Sequence, residues 1–177
     1  MSEPVRPALL VDSAEARWFA CYTKPRAEKV TAARITEAGV ECYLPLHRVR
    51  RRWSDRMKWV EEPLIRSYIF VKVNRTDFRK ILFIEGFLRF ITFENKAVPI
   101  PDSQIEALHI LLGKDIEVEV TTENFEPGRK VEVISGQLIG LKGELVEKRG
   151  SKKVLVRLGE IGHGILVTID TKLLEKI

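Results

Sequence analysis

The stretch RSYIFVKV, residues 66–73, decides how the first part of the chain is built. Read as a strand, it sets Ile69, Val71 and Val73 on one face and Tyr68, Phe70 and Lys72 on the other. A sheet covered on one side only alternates apolar with polar residues. Here both faces are apolar and the second is aromatic, so Tyr68 and Phe70 need a cover.

Working outward, RWFACY (17–22) reads as a strand, and PRAEKVTAARITEA (25–38) as a helix with Pro25 in its first turn and Gly39 at its end. VECYLPLH (40–47) is a second strand, and RVRRRWSDRMK (48–58) a basic hairpin loop leading towards residues 66–73. Asn74 can cap a helix reaching about Ile84. FLRFITF (87–93) alternates again, with Phe87, Arg89, Ile91 and Phe93 opposite Leu88, Phe90 and Thr92. PDSQIEALHILLG carries a capping-box pattern, Ser103 with Glu106, and ends at Gly113. The order β-α-β-β-β-α-β-α predicts an α+β domain over 17–113, a ferredoxin-like antiparallel sheet with its helices on one face. Residues 1–16, with Pro4 and Pro7 and no periodicity, read as a tail.

The texture then changes. Residues 114–127 are acidic and read as a linker. From 128 to 177, short valine-rich runs are punctuated by Gly136, Gly140, Gly143, Gly150, Gly159, Gly162 and Gly164, which predicts a small all-β barrel. In SGQLIGLKGELV, Gly136, Gly140 and Gly143 are expected to need positive φ or close backbone approach. So many glycines oppose a helical alternative.

Of 177 residues, 45% are hydrophobic and 31% charged, a globular composition. The longest apolar run near the start, Ala8–Val11, is too short for a membrane span, and no signal peptide is read. Cys21 and Cys42 fit a reducing compartment, so the cytoplasm is expected. No four-ligand metal site can be assembled, no cofactor is expected, and no phosphate loop, HExxH or Gly-x-Ser-x-Gly is present. Glu61 and Glu62, adjacent in a strand, point to opposite faces, so an enzyme reading lacks a convergent site.

The net charge is +5, and residues 1–115 carry the whole surplus: 20 Lys/Arg against 15 Asp/Glu, with 10 against 10 in the remainder. An anionic partner is therefore expected on the first part. Lys24, Arg26 and Lys29 crowd a helix N-terminus, where cations are unfavourable unless an anion or Glu28 compensates. Arg48, Arg50, Arg51, Arg52, Arg56 and Lys58 lie within eleven residues, beside Trp53 and Trp59. Such residues neutralise phosphates and stack on unpaired bases, although a solvated charge run has the same composition.

Taken in order, WFACYTKPRAEK, YLPL, SYIFVKV and EGF, followed by VEVISGQLIGLKGELVE and LLEKI, resemble the NusG/RfaH-type family of transcription elongation factors over Trp18 to Ile177. The resemblance implies an N-terminal NGN domain and a C-terminal KOW domain. It implies RNA polymerase as partner, its clamp helices docking on the aromatic face of Tyr68 and Phe70 with Trp18 and Phe87. The tail or the KOW domain is the alternative cover for that face. It further implies contact of Lys24, Arg26 and Lys29 with non-template DNA, and of Arg50, Arg51 and Arg52 with duplex or nascent RNA nearby. Gln137-Leu138 stands where housekeeping members carry Pro-Phe, and GHGILV (162–167) replaces a more polar loop. These are the positions through which housekeeping members contact the ribosome and Rho. With TKPR and the Arg-rich loop, the chain looks most like the UpxY-type specialised antiterminators of capsule operons; a housekeeping NusG-like factor and a stand-alone KOW-type RNA-binding or ribosome-associated protein are the alternatives.

Overall fold

The structure, a computed structural model, describes residues 13–114, 116–158 and 161–177. Most of the expected tail, with Asp115 and Gly159, lies outside them. The chain divides into two compact units, Met1–Ile100 and Pro101–Ile177.

In the first unit β1 (Arg17–Thr23), β2 (Glu41–Tyr43), β5 (Tyr68–Val73) and β6 (Phe87–Phe90) form an antiparallel sheet in the order β2-β5-β1-β6, with β9 (Pro99–Ile100) also paired to β1. This is the strand order of the expected ferredoxin-like fold. Helices α1 (Glu28–Glu37) and α2 (Phe78–Ile81) supply Ile35, Phe78 and Ile81 to a core shared with Phe19, Cys21, Ile69, Val71 and Val73. The period-2 reading of residues 66–73 thus assigns the helix-facing residues correctly.

Four local expectations are corrected. Pro25 precedes α1 instead of opening it, because Arg26 takes a left-handed φ of 63° and the helix starts at Glu28. Residues 48–58 are no loose loop: β3 (Leu46–Trp53) and β4 (Arg56–Pro63) pair along their full length around the turn Ser54–Asp55. The run 87–93 breaks into β6 and β7 (Thr92–Phe93), the latter paired with β8 (Lys96–Ala97). A bulge in β6 sets Phe87 opposite Thr23 and Arg89 opposite Tyr22. Asn74 does not cap α2 as expected: its side-chain oxygen accepts from the amides of Thr76 and Asp77 in a turn ahead of the helix, Asp77 holds the N-cap position without a side-chain hydrogen bond, and the helix ends at Ile81, short of Ile84.

In the second unit α3 (Asp102–Leu112) is present, but the capping box is not formed. Pro101, with φ −58° and ψ 140°, holds the N-cap position, so Ser103 already lies inside the helix. The helix belongs to this unit, where it lies against β13 (Ser151–Arg157), whereas the sequence placed it in the first domain. Part of the expected linker is also strand. β10 (Val118–Thr121) joins β11 (Arg129–Val133), β12 (Lys142–Lys148), β13, β14 (Gly164–Val167) and β15 (Leu174–Lys176) in the order β10-β14-β13-β12-β11-β15. Val118 and Val120 alternate with acids, and Glu119 is held by Lys148 and Lys153. The all-β architecture expected after residue 128 is found. Gly136 and Gly140 have φ of 86° and 85°, while a Cβ on Gly143 would lie 2.7 Å from the Leu155 carbonyl oxygen.

Candidate nucleic-acid interface

The first unit gathers charge around the base of the β3–β4 hairpin. Leu46 pairs with Pro63 there, and the Leu64 amide donates to the Pro45 carbonyl at 2.8 Å. From α1, Lys29 Nζ donates to the Glu61 carbonyl at 2.8 Å, fastening helix to ribbon. Glu28, buried in the first turn of α1, accepts from the Ser67 amide at 2.8 Å. The acid that answers the cations at the helix start is thus inside the protein.

These contacts border a cavity of about 510 Å³ lined by Arg26, Lys29, Arg51 and Arg66, with Glu28, Glu62 and Ser67. Two basic clusters distant in sequence therefore meet at one place. Arg66 was missed, because a lone arginine in a turn leaves no pattern. Lys24 is exposed and is not among the lining residues. Four cations against two carboxylates leave the cavity positive, suited to a phosphate-bearing ligand.

The hairpin sorts its arginines by face. Cross-strand pairs put Arg48, Glu61, Arg50, Trp59, Arg52 and Met57 on one side, and Val49, Val60, Arg51, Lys58, Trp53, Glu62 and Arg56 on the other. Arg51 donates twice to Glu62, at 2.8 Å from both Nε and Nη2. This fork lowers the Glu62 pKa and raises that of Arg51. Arg50, Arg51 and Arg52 are therefore no single contiguous patch. Lys58 Nζ sits 4.7 Å from the Trp53 ring centroid, and Arg48 and Arg50 lie 5.7 and 5.6 Å from that of Trp59.

The aromatic face of the sheet is covered in this structure. Phe70 is fully buried, and Trp18 and Tyr68 are 6% exposed. The Tyr22 and Tyr68 hydroxyls lie 2.6 Å apart, Arg89 stacks over Tyr22, and Lys72 over Trp18. Burial pushes the Tyr43 phenol up to about 12; burial and then the Tyr22 hydrogen bond raise that of Tyr68. Phe87 does not join this face. The bulge turns it to the helix side, with its ring centroid 5.4 Å from that of Phe90.

Burial raises the Cys21 thiol pKa and takes that of Cys42 to about 12, which disfavours the thiolate of each. Among the described residues no cluster of three or more His, Cys, Asp or Glu side chains could hold a metal ion, and no helix is long and apolar enough to cross a membrane.

Residues 16–109 match the family model described as the transcription termination factor NusG. The chain is 26% identical over 139 residues to the transcription termination/antitermination protein NusG of Lactococcus lactis, covering 76% of this chain and 74% of that one. It is 23% identical over 161 residues to the Streptococcus pyogenes protein of the same name, covering 83% and 89%. Among solved structures, one of Thermotoga maritima NusG, described as showing domain interaction, is similar in fold. It has a TM-score of 0.52 at 21% identity, covering 92% of this chain and 98% of that one.

Proposed function

The chain belongs to the NusG family, and from that premise we propose that it is a transcription antitermination and elongation factor that binds RNA polymerase and keeps it processive. Members of this family are transcription factors that bind polymerase, not enzymes. The polymerase clamp helices would dock at the sheet face of Trp18, Tyr68 and Phe70. Phe70 is fully buried in this structure, so docking would first require that face to open. Phe87 is dropped from the site, since it packs in the opposite core.

We further infer a specialised member, recruited to particular operons of the capsular-polysaccharide kind. What supports this reading is Gln137-Leu138 in place of Pro-Phe, the GHGILV loop, TKPR and the Arg-rich hairpin; the basic cavity joining Arg26 and Lys29 to Arg51 and Arg66 adds a surface suited to nucleic acid. It supports contact with non-template DNA or nascent RNA, through which recruitment would be read. Lys24 stands exposed just ahead of the cavity residues. Contact with Rho or the ribosome is left out of the proposal. Leu138, at the position where housekeeping members carry Phe, is 5% exposed and offers little to a partner.

A general NusG role is the second reading, favoured by the names of the curated relatives. Transcription by bacterial RNA polymerase past a terminator separates the two. Readthrough that rises only on templates carrying the leader of the chain's own operon supports the specialised role. An equal effect on every template supports the general one, and no effect on any template contradicts both.

A further inference from the structure

Trp59 stands near the middle of β4 with 54% of its surface exposed, on the hairpin face opposite Arg51. An exposed tryptophan is uncommon, and here the charge around it is mostly positive, three arginines against Glu61. Arg50 is directly across from it, Arg48 and Arg52 lie one pair to either side, and half-exposed Met57 faces Arg52. The three arginines recur at every second residue, roughly 6.8 Å apart. Among the described residues, none of the three has a carboxylate partner, and Glu61 is the only acid on this face. On the other face Arg51 is already tied to Glu62.

We propose that this face is a stacking platform for single-stranded nucleic acid. An unpaired base lies on the Trp59 indole, Met57 packs beside it, and Arg48, Arg50 and Arg52 take the flanking phosphates. The guanidiniums now over the ring, at 5.6 and 5.7 Å, swing outward to the phosphates when the base arrives. Three guanidiniums against one carboxylate make the face complementary to a phosphate backbone. The exposed ring selects for unpaired strands, because a duplex keeps its base faces inside the stack. No preference for one sugar is expected, since the phosphates and base faces contacted are common to DNA and RNA. The proposal uses the same basic hairpin as the reading above but does not depend on polymerase.

The test is fluorescence anisotropy of the full-length chain with labelled oligo(dT), oligo(U) and a blunt duplex of equal length, across a salt series. Both single strands are expected to bind within a few-fold of each other and tighter than the duplex. Trp59→Ala is expected to weaken oligo(dT) binding about tenfold with the salt slope unchanged, and Trp59→Phe to restore most of the loss. Arg50→Ala with Arg52→Ala is expected to lower the slope by about 1.4, for two phosphates released. Circular dichroism confirms that each variant is folded. Duplex binding as tight as single-strand binding, preference for one sugar alone, or a Trp59→Ala variant that binds like wild type would each overturn the platform. Polymerase binding is measured separately on the same proteins. Its absence would remove the proposed function and leave this result standing.

Discussion

Arg51 and Glu62 are joined by a two-point hydrogen bond across the β3–β4 hairpin, both arms 2.8 Å long. Arg50 and Arg52, the chain neighbours of Arg51, face the other way. The three arginines should therefore respond differently to substitution. Arg50→Glu with Arg52→Glu is expected to weaken nucleic-acid binding strongly at low salt and less at high salt, with a shallower salt slope. Arg51→Glu instead sets two carboxylates against each other and is expected to loosen the ribbon and the cavity edge. Titration of each variant at several salt concentrations, with hydrogen exchange of the hairpin amides, checks the difference.

Ile69 and Phe70 are neighbours in β5, on opposite faces, and both are fully buried. Truncation of either is expected to create a cavity. Ile69→Ala should cost about 2–5 kcal/mol and Phe70→Ala about 3–5 kcal/mol. Thermal or denaturant unfolding of the two variants measures this. A Phe70→Ala variant as stable as wild type would mean that this face is open in solution.

The alternation in residues 66–73 was enough to separate the two sheet faces, because a regular strand has a period of two. The same rule misplaced Phe87, since the bulge in β6 shifts the register and no residue type announces it. Val118 and Val120 carry a strand signal within 118–121, but the acids between and around them give the segment a linker's composition. Those acids are used: Glu119 is hydrogen-bonded to Lys148 and Lys153. At the interface, the hairpin and the helix cluster were legible as charge. That Arg51 and Arg66 share a cavity with Arg26 and Lys29 depends on tertiary closure, which spacing alone does not encode.

Gly140 and Gly143 are expected to fail for different reasons. Gly140 has a φ of 85° with nothing near its missing Cβ, so Gly140→Ala should cost about 1–2 kcal/mol of backbone strain. At Gly143 a Cβ would press on the Leu155 carbonyl oxygen and on Val154 Cγ1, each at 2.7 Å, so the β12–β13 ladder must shift. Gly143→Ala is expected to be the more destabilising, as read by denaturant unfolding of the full chain.

Glu119 should make the second unit sensitive to acid. Hydrogen bonds from Lys148 and Lys153 hold its pKa down to about 2, below the unfolded value of about 4.3. A depressed folded value means that the contribution is complete above the unfolded pKa and is lost as pH falls through the folded one. Melting temperatures measured from neutral pH downward should fall across the window from about 4.3 to about 2. Glu119→Gln should flatten part of that fall.

Co-elution of the purified full-length protein with core RNA polymerase measures the proposed binding itself. A stable complex is predicted, retained by variants of the barrel such as Gly140→Ala and weakened by Tyr68→Ala. A chain that elutes free of polymerase at every salt concentration, while co-purifying with ribosomal particles, would be a ribosome-associated protein and not a polymerase factor.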